Sequence, residues 1–312
     1  MQALVDVILP VFLVIGFGYF IAWRGLFTDQ TVDALMRFTQ NFAIPFVLFR
    51  GIATLDLGQN FDIRLLASFF IPAILCFLIG AGATRYAFKR PPEDCVAVGF
   101  CCMFSNSLLL GIPIAERAFG PEGLAGNYLI IAFHSPILYG LGITMMEVIR
   151  SRHAAKSPAR VAVQVLNAMF HNPLVMGVTT GLVVNLTGLQ LPGPLWGAVN
   201  MMAQAALPAA LFGLGGVLFR YRPEGDMKLI LLICFLSLIG HPAMVWLMGK
   251  AFGLPFDGFR SAVQTATMAP GANAYLFANM YGAAKRVAAS SVLLGTAASM
   301  LTIWVWLKLL GG

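Results

Sequence analysis

Two short stretches in an otherwise apolar chain hold the residues able to do chemistry. One is Ser105-Asn106-Ser107, followed by Gly111-Ile112-Pro113; the other is Pro270-Gly271-Ala272-Asn273, with Tyr275 just beyond. Proline in a helix interior has no N–H to donate and clashes with the carbonyl four residues back, and glycine weakens the same turn. Each stretch therefore predicts a helix that stops and restarts. A restarted half-helix presents unpaired N–H groups and about half a positive charge at its N-terminus, an environment that suits a carboxylate. Ser105, Asn106, Gly111, Pro113, Pro270, Gly271 and Asn273 are the candidate binding residues, with the two asparagine amides as leading ligands. An ordinary kink is the plainer explanation of either stretch alone, since proline and glycine are frequent in membrane helices.

Other polar residues stand at depth in apolar segments. His134 and Tyr139 lie five apart in one of them, able to reach a shared cavity at different levels. His134 has two readings: a neutral imidazole satisfying a carbonyl freed by Pro136, or a proton-sensitive group, since histidine titrates near neutral pH. His241, before Pro242, has the same two. Asn41 either faces a ligand or caps backbone freed by Pro45. Arg50 either snorkels to the interface or offers an anion-attracting charge at an outer vestibule.

These residues need a membrane-embedded scaffold, and the composition provides one. The 312 residues are 59% hydrophobic and 11% charged, against about 25% charged in a soluble domain. Mean hydropathy is +0.83. Ten apolar segments, at about 5–23, 38–55, 65–85, 95–119, 125–150, 173–189, 195–219, 229–251, 261–281 and 287–309, are each long enough to cross a hydrocarbon core of roughly 30 Å. The fold class is an all-α polytopic membrane protein. Residues 159–171 are weakly amphipathic and predict an interfacial helix. The N-terminal segment does not have the form of a cleaved signal: Asp6 stands where a basic region belongs, and Trp23-Arg24-Gly25 is no small-residue cleavage site.

Of the 20 basic residues, 14 fall on one alternating set of span ends and loops. The positive-inside rule places that set in the cytoplasm and both termini on the other side. Topology thus accounts for the net charge of +7, and no nucleic-acid partner is implied. The five cysteines lack metal-site spacing and read as reduced packing residues; no metal or cofactor is expected. All 13 Asp and Glu lie near span ends or in loops, whereas a cation or proton-antiport site usually puts a carboxylate at mid-depth.

The halves of the chain match at an offset of 163: Pro10 with Pro173, Gly18 with Gly181, Gly25 with Gly188, Ala43-Ile44-Pro45 with Ala206-Leu207-Pro208. Later the offset drifts, so that Asn106 falls opposite Gly271 at 165. Five spans per half forces opposite polarity, an inverted repeat. The division is 1–150 for the first repeat, 151–172 for a cytoplasmic linker and interfacial helix, and 173–312 for the second repeat. Broken helices at corresponding positions of two repeats point to a transporter's binding site.

Taken in order, Asn41-Phe42-Ala43-Ile44-Pro45, Ser105-Asn106-Ser107…Gly111-Ile112-Pro113 and Ala269-Pro270-Gly271-Ala272-Asn273-Ala274-Tyr275 resemble the auxin efflux carrier family, which includes bacterial malonate-type transporters. The likeness covers essentially the whole chain. It implies ten helices in a five-plus-five inverted repeat with the fourth and ninth crossing. It further implies a scaffold of spans one, two, six and seven, a transport domain of spans three to five and eight to ten, elevator-like movement and carboxylate substrates. A homodimer through the scaffold spans and polar pocket positions matching His134 and Tyr139 are also implied.

The leading expectation is a secondary transporter of small organic anions in a bacterial inner membrane, with the lipid bilayer and the anion as its partners and no catalytic role. A sodium-coupled carrier of bile-acid type shares the inverted-repeat plan, but the acidic crossover residues of such a site are missing. An intramembrane enzyme would need a nucleophile–base pair or metal cluster at depth; Ser105 with His134 is the one candidate pair.

Overall fold

The computed structural model describes residues 4–55, 61–151 and 173–311. The expected linker and interfacial helix fall, from residue 152 on, outside the described residues. Fourteen α-helices follow in order: α1 (Leu9–Trp23), α2 (Asp29–Phe38), α3 (Ile44–Ala53), α4 (Ile63–Tyr86), α5 (Pro92–Met103), α6 (Ile112–Phe119), α7 (Ala125–Ser151), α8 (Pro173–Thr187), α9 (Gly193–Arg220), α10 (Met227–Phe235), α11 (His241–Ala251), α12 (Phe256–Ala266), α13 (Ala272–Tyr281) and α14 (Lys285–Leu309). Six helical segments are long and apolar enough to cross a membrane: Val5–Trp23, Ile63–Tyr86, Ala125–Arg150, Gly193–Arg220, Met227–Ala251 and Lys285–Leu309. The other four expected spans correspond to α2 running into α3, the 15-residue α8, and two interrupted pairs, α5/α6 and α12/α13.

Prolines set the local geometry. Four π-helical turns, Leu4–Ile8, Thr39–Ala43, Ser107–Gly111 and Leu236–Gly240, each end two residues before a proline: Pro10, Pro45, Pro113 and Pro242. The wider turn relieves the clash between the ring and the carbonyl four residues back. Its longer hydrogen bonds appear at Ile44, whose N–H donates to Thr39 O, and at His241, whose N–H donates to Leu236 O. The Leu238 carbonyl, which Pro242 cannot serve, accepts from the Trp306 indole at 3.0 Å.

This accommodation moves the first break. The sequence centres it on Gly111 and Pro113, but the widened turn keeps Pro113 within helical structure. The helix instead stops at Met103 and resumes at Ser107, leaving Phe104, Ser105 and Asn106 outside helical structure. The second break lies where Pro270 and Gly271 place it, between Ala266 and Ala272.

Small residues set the closest helix contacts. A Cβ on Gly18 of α1 would run into the Phe212 carbonyl of α9, and one on Gly181 of α8 would lie 2.8 Å from the Phe49 carbonyl of α3. One buried cluster joins α4, α5, α7 and α10–α13 around Phe69, Phe77, Phe100 and Phe277. Two others tie α1–α3 and α9 to α6, the α6–α7 hairpin and α14.

Candidate functional site

The two breaks meet. Their extended segments pair antiparallel at Ser105 and Pro270. The Asn106 N–H donates to the Ala269 carbonyl at 2.8 Å, and the Gly271 N–H donates to the Phe104 carbonyl at 2.9 Å. Shifting each residue by 165 converts one bond into the other: Asn106 becomes Gly271 and Phe104 becomes Ala269. Each break thus supplies one donor and one acceptor to its counterpart, which answers the demand of backbone polar groups away from water.

A cavity of about 350 Å³ lies against this crossing, within the range of small-ligand sites. Its walls are the breaks, the middle of α7, the turn leading into α3, and the start of α8. Of the sequence candidates, Asn41, Ser105, Asn106, His134, Tyr139, Gly271 and Asn273 line it, and Gly111, Pro113 and Pro270 do not. Gly111 and Pro113 are buried beside it, Gly111 against Met268, and the Pro270 ring packs on Gly295 of α14. These three shape the backbone around the cavity. Among the described residues, no lysine, arginine, aspartate or glutamate side chain lines it.

Ser105 Oγ lies 2.6 Å from Ser107 Oγ and 3.3 Å from His134 Nε2. His134 therefore meets a hydroxyl, not a carbonyl freed by Pro136. His241 does meet a carbonyl: its Nε2 donates to Phe69 O at 3.4 Å. Phe104 packs edge-on against both His134 and Tyr139, with centroids at 4.5 and 5.2 Å. The Tyr139 hydroxyl donates to the Asn273 backbone carbonyl at 3.4 Å. The Asn106 amide nitrogen is buried and has no hydrogen-bond partner among the described residues. Ser107, Leu108 and Leu109 on one side, and Ala272 and Asn273 on the other, open the two restarted helices and line the same space. Their N–H groups are those a helix start leaves unpaired.

A second polar cluster went unread in the sequence. Asn127 Nδ2 donates to Gln264 Oε1 at 2.7 Å and to Thr265 Oγ1 at 2.8 Å, and Gln264 Nε2 donates to the Gly111 carbonyl at 3.0 Å. Gln264 is fully buried and ties α12 to the turn that restarts the first broken helix. The available signal was three uncharged polar residues in the first turns of two apolar spans, Asn127 in one and Gln264 and Thr265 in the other.

An all-helical bundle with long apolar spans, paired helix breaks and a cavity with polar side chains in its wall at their crossing defines an integral membrane transport protein. A family model described as "Membrane transport protein" matches residues 3–307. The chain belongs to that family, which includes the auxin efflux carriers. Among its relatives is a protein of Rhizobium meliloti (strain 1021) named "Putative malonate transporter", 23% identical, with 97% of this chain and 94% of that protein aligned. "Auxin efflux carrier component 5" of Arabidopsis thaliana is 21% identical over 95% of this chain and 93% of its own length. "Uncharacterized transporter YfdV" of Escherichia coli (strain K12) is 21% identical over 96% and 95%.

Proposed function

We propose that this protein is a secondary transporter of small organic anions, malonate-like mono- or dicarboxylates, working by elevator-type alternating access in a bacterial inner membrane. The observation that carries the reading is the crossing of the two breaks. It brings the starts of two half-helices, and Asn106 with its buried, unpartnered amide, to the wall of a cavity that no charged side chain among the described residues lines. Partial positive charge from helix termini and neutral donors favours a carboxylate and leaves nothing to hold a cation strongly.

Ten spans in two inverted repeats belong to this reading. Its support is that the Gly18–Phe212 contact and the Gly181–Phe49 contact exchange under the offset of 163, as the two crossover hydrogen bonds do under 165. We assign α1–α3, α8 and α9 to the scaffold and the remaining helices to the moving domain, which has the large aromatic core around Phe100 and Phe277. A homodimer through the scaffold, and both termini on the non-cytoplasmic side, complete the proposal. An anion leaving the cell gains about 2.3 kcal/mol per charge per 100 mV, so outward transport needs no coupled ion.

One contact favours a second reading. Ser105 and His134 stand at nucleophile–base distance, as an intramembrane hydrolase would require. Against it, Phe69 and Phe104 are the rings against His134, and Ser105 is shared with Ser107. Covalent labelling of Ser105 by a fluorophosphonate would establish that reading.

Counterflow of a carboxylate panel headed by malonate, using purified protein in vesicles, tests the transporter. Wild type is expected to exchange at least one carboxylate, and Asn106→Ala and Asn273→Ala to lose most of that exchange while staying folded. Wild-type exchange in both variants would refute the assigned site.

A further inference from the structure

Among the described residues, the crossover cavity is lined by no charged side chain that would draw an anion from a distance. A second cavity of about 490 Å³ adjoins it, with Gln40 and Ala272 in the walls of both. Its lining includes Asp33, Arg37, Arg220, Tyr221 and Tyr275. These arginines belong to the set of span ends that the charge bias marks as cytoplasmic.

The ion pairs here are unevenly shared. Arg220 takes two carboxylates: its Nε is 2.9 Å from Asp29 and its terminal nitrogen 2.6 Å from Asp33. Asp33 is one helical turn before Arg37, the position from which it would ordinarily pair with that arginine. Because Arg220 claims it, Arg37 has no carboxylate within ion-pair distance among the described residues. Arg37 is exposed, lines the second cavity, and lies three residues, so nearly one turn, before Gln40. Tyr221 and Tyr275 close the wall with ring centroids 4.8 Å apart. A small carboxylate held by Arg37 would thus sit one step along the helix from Gln40, one of the two residues that both cavities share.

We propose that this second cavity is a staging site, in which Arg37 captures a small carboxylate from the cytoplasmic side and passes it over Gln40 to the crossover. The proposal rests on the organic-anion reading above. Charged lining of a low-dielectric cleft raises local anion concentration and entry rate, and a single unpaired guanidinium beside a neutral site is the economical form of that device. The same arginine could instead hold a lipid phosphate, since the chemistry of capture is shared.

The test is malonate transport by the full chain, entering from the cytoplasmic face of inside-out vesicles, across a range of ionic strength. Arg37→Gln is expected to raise KM roughly three- to tenfold, to flatten the fall of kcat/KM with salt, and to leave kcat and the melting temperature unchanged; Arg37→Lys restores the wild-type salt dependence. Unchanged KM and salt dependence in Arg37→Gln, with transport lost in Asn106→Ala, overturns the staging site and leaves the organic-anion reading standing. An effect seen in phosphatidylglycerol vesicles and absent in zwitterionic phosphatidylcholine overturns it in favour of the phosphate of an anionic lipid. Absence of malonate transport by wild type, with no other carboxylate exchanged, overturns both.

Discussion

Asn106→Ala should stabilise the empty protein and weaken anion binding. The Asn106 amide nitrogen is buried without a partner among the described residues, and an unsatisfied buried donor costs about 1–3 kcal/mol. The backbone does not depend on this side chain: the Asn106 N–H donates to Ala269 O, and its carbonyl accepts from Leu110 and Gly111. Alanine tolerates φ −77°, ψ 51°, so the crossover survives. A carboxylate oxygen reaching the amide makes a charge-assisted hydrogen bond worth about 1.5–3 kcal/mol, or roughly ten- to a hundredfold in Kd. At a carboxylate concentration of about 100 Kd, the wild type gains about 2.7 kcal/mol. A variant binding about thirtyfold more weakly gains under about 1 kcal/mol at that concentration. Thermal melting of purified protein with and without the best carboxylate measures both quantities. The expected result is an unchanged or higher melting temperature without ligand and a ligand-induced shift cut by more than half. A variant that melts well below wild type without ligand, or that keeps the full shift, refutes the role given to the amide.

Three further outcomes follow from the packing. Gln264→Leu leaves the Gly111 carbonyl without its donor and takes one acceptor from Asn127; at about 1–3 kcal/mol for each buried group, melting should fall by a margin that Gln264→Met also shows. Gly18→Val and Gly181→Val should each lower stability, because a Cβ meets the Phe212 or Phe49 carbonyl, whereas Gly16→Val, in the same helix as Gly18 with nothing within 4 Å of its Cβ, should be neutral; equal melting of all three would refute the paired contacts. Asp62 caps α4 and bonds Arg64, which holds its carboxyl below the usual 3.8. A depressed folded pKa stabilises above the unfolded value and is lost as pH falls through the folded one. Asp62→Asn keeps the cap, so it should cost under about 1 kcal/mol at pH 7, with the difference from wild type shrinking as pH falls below 3.8.

The helix breaks were legible because membrane spans rarely concentrate serine, asparagine, glycine and proline. Their placement was less so. Pro113 announces a break, but the turn over Ser107–Gly111 widens to admit it, and the chain opens at Phe104-Ser105-Asn106, which contains neither glycine nor proline. Pro270-Gly271 has no such widened turn before it, and there the break lies where the residues stand. His134, Tyr139 and Asn41 were legible as polar residues at depth, though His134 meets the Ser105 hydroxyl and not a local carbonyl. The bond from Asn127 to Gln264 spans 137 residues, and no local pattern encodes a partner so distant. The wall contributed by the start of α8, including Pro173 and Val178, is apolar and indistinguishable in sequence from lipid-facing surface.

The crossover and the proposed binding site answer one physical problem. Opening a helix at membrane depth exposes donors and acceptors that lipid cannot satisfy. A single break would need side chains or water for all of them. Two breaks that meet supply each other: Asn106 to Ala269, Gly271 to Phe104. The exchange uses only the residues of the breaks. The residues one step further on, at the starts of the restarted helices, have no side-chain cap and line one cavity, and a helix start leaves its first N–H groups without a partner in the helix. A carboxylate at the proposed site would complete hydrogen bonding that the crossing leaves unfinished, and would draw on the feature that lets the backbone open there at all.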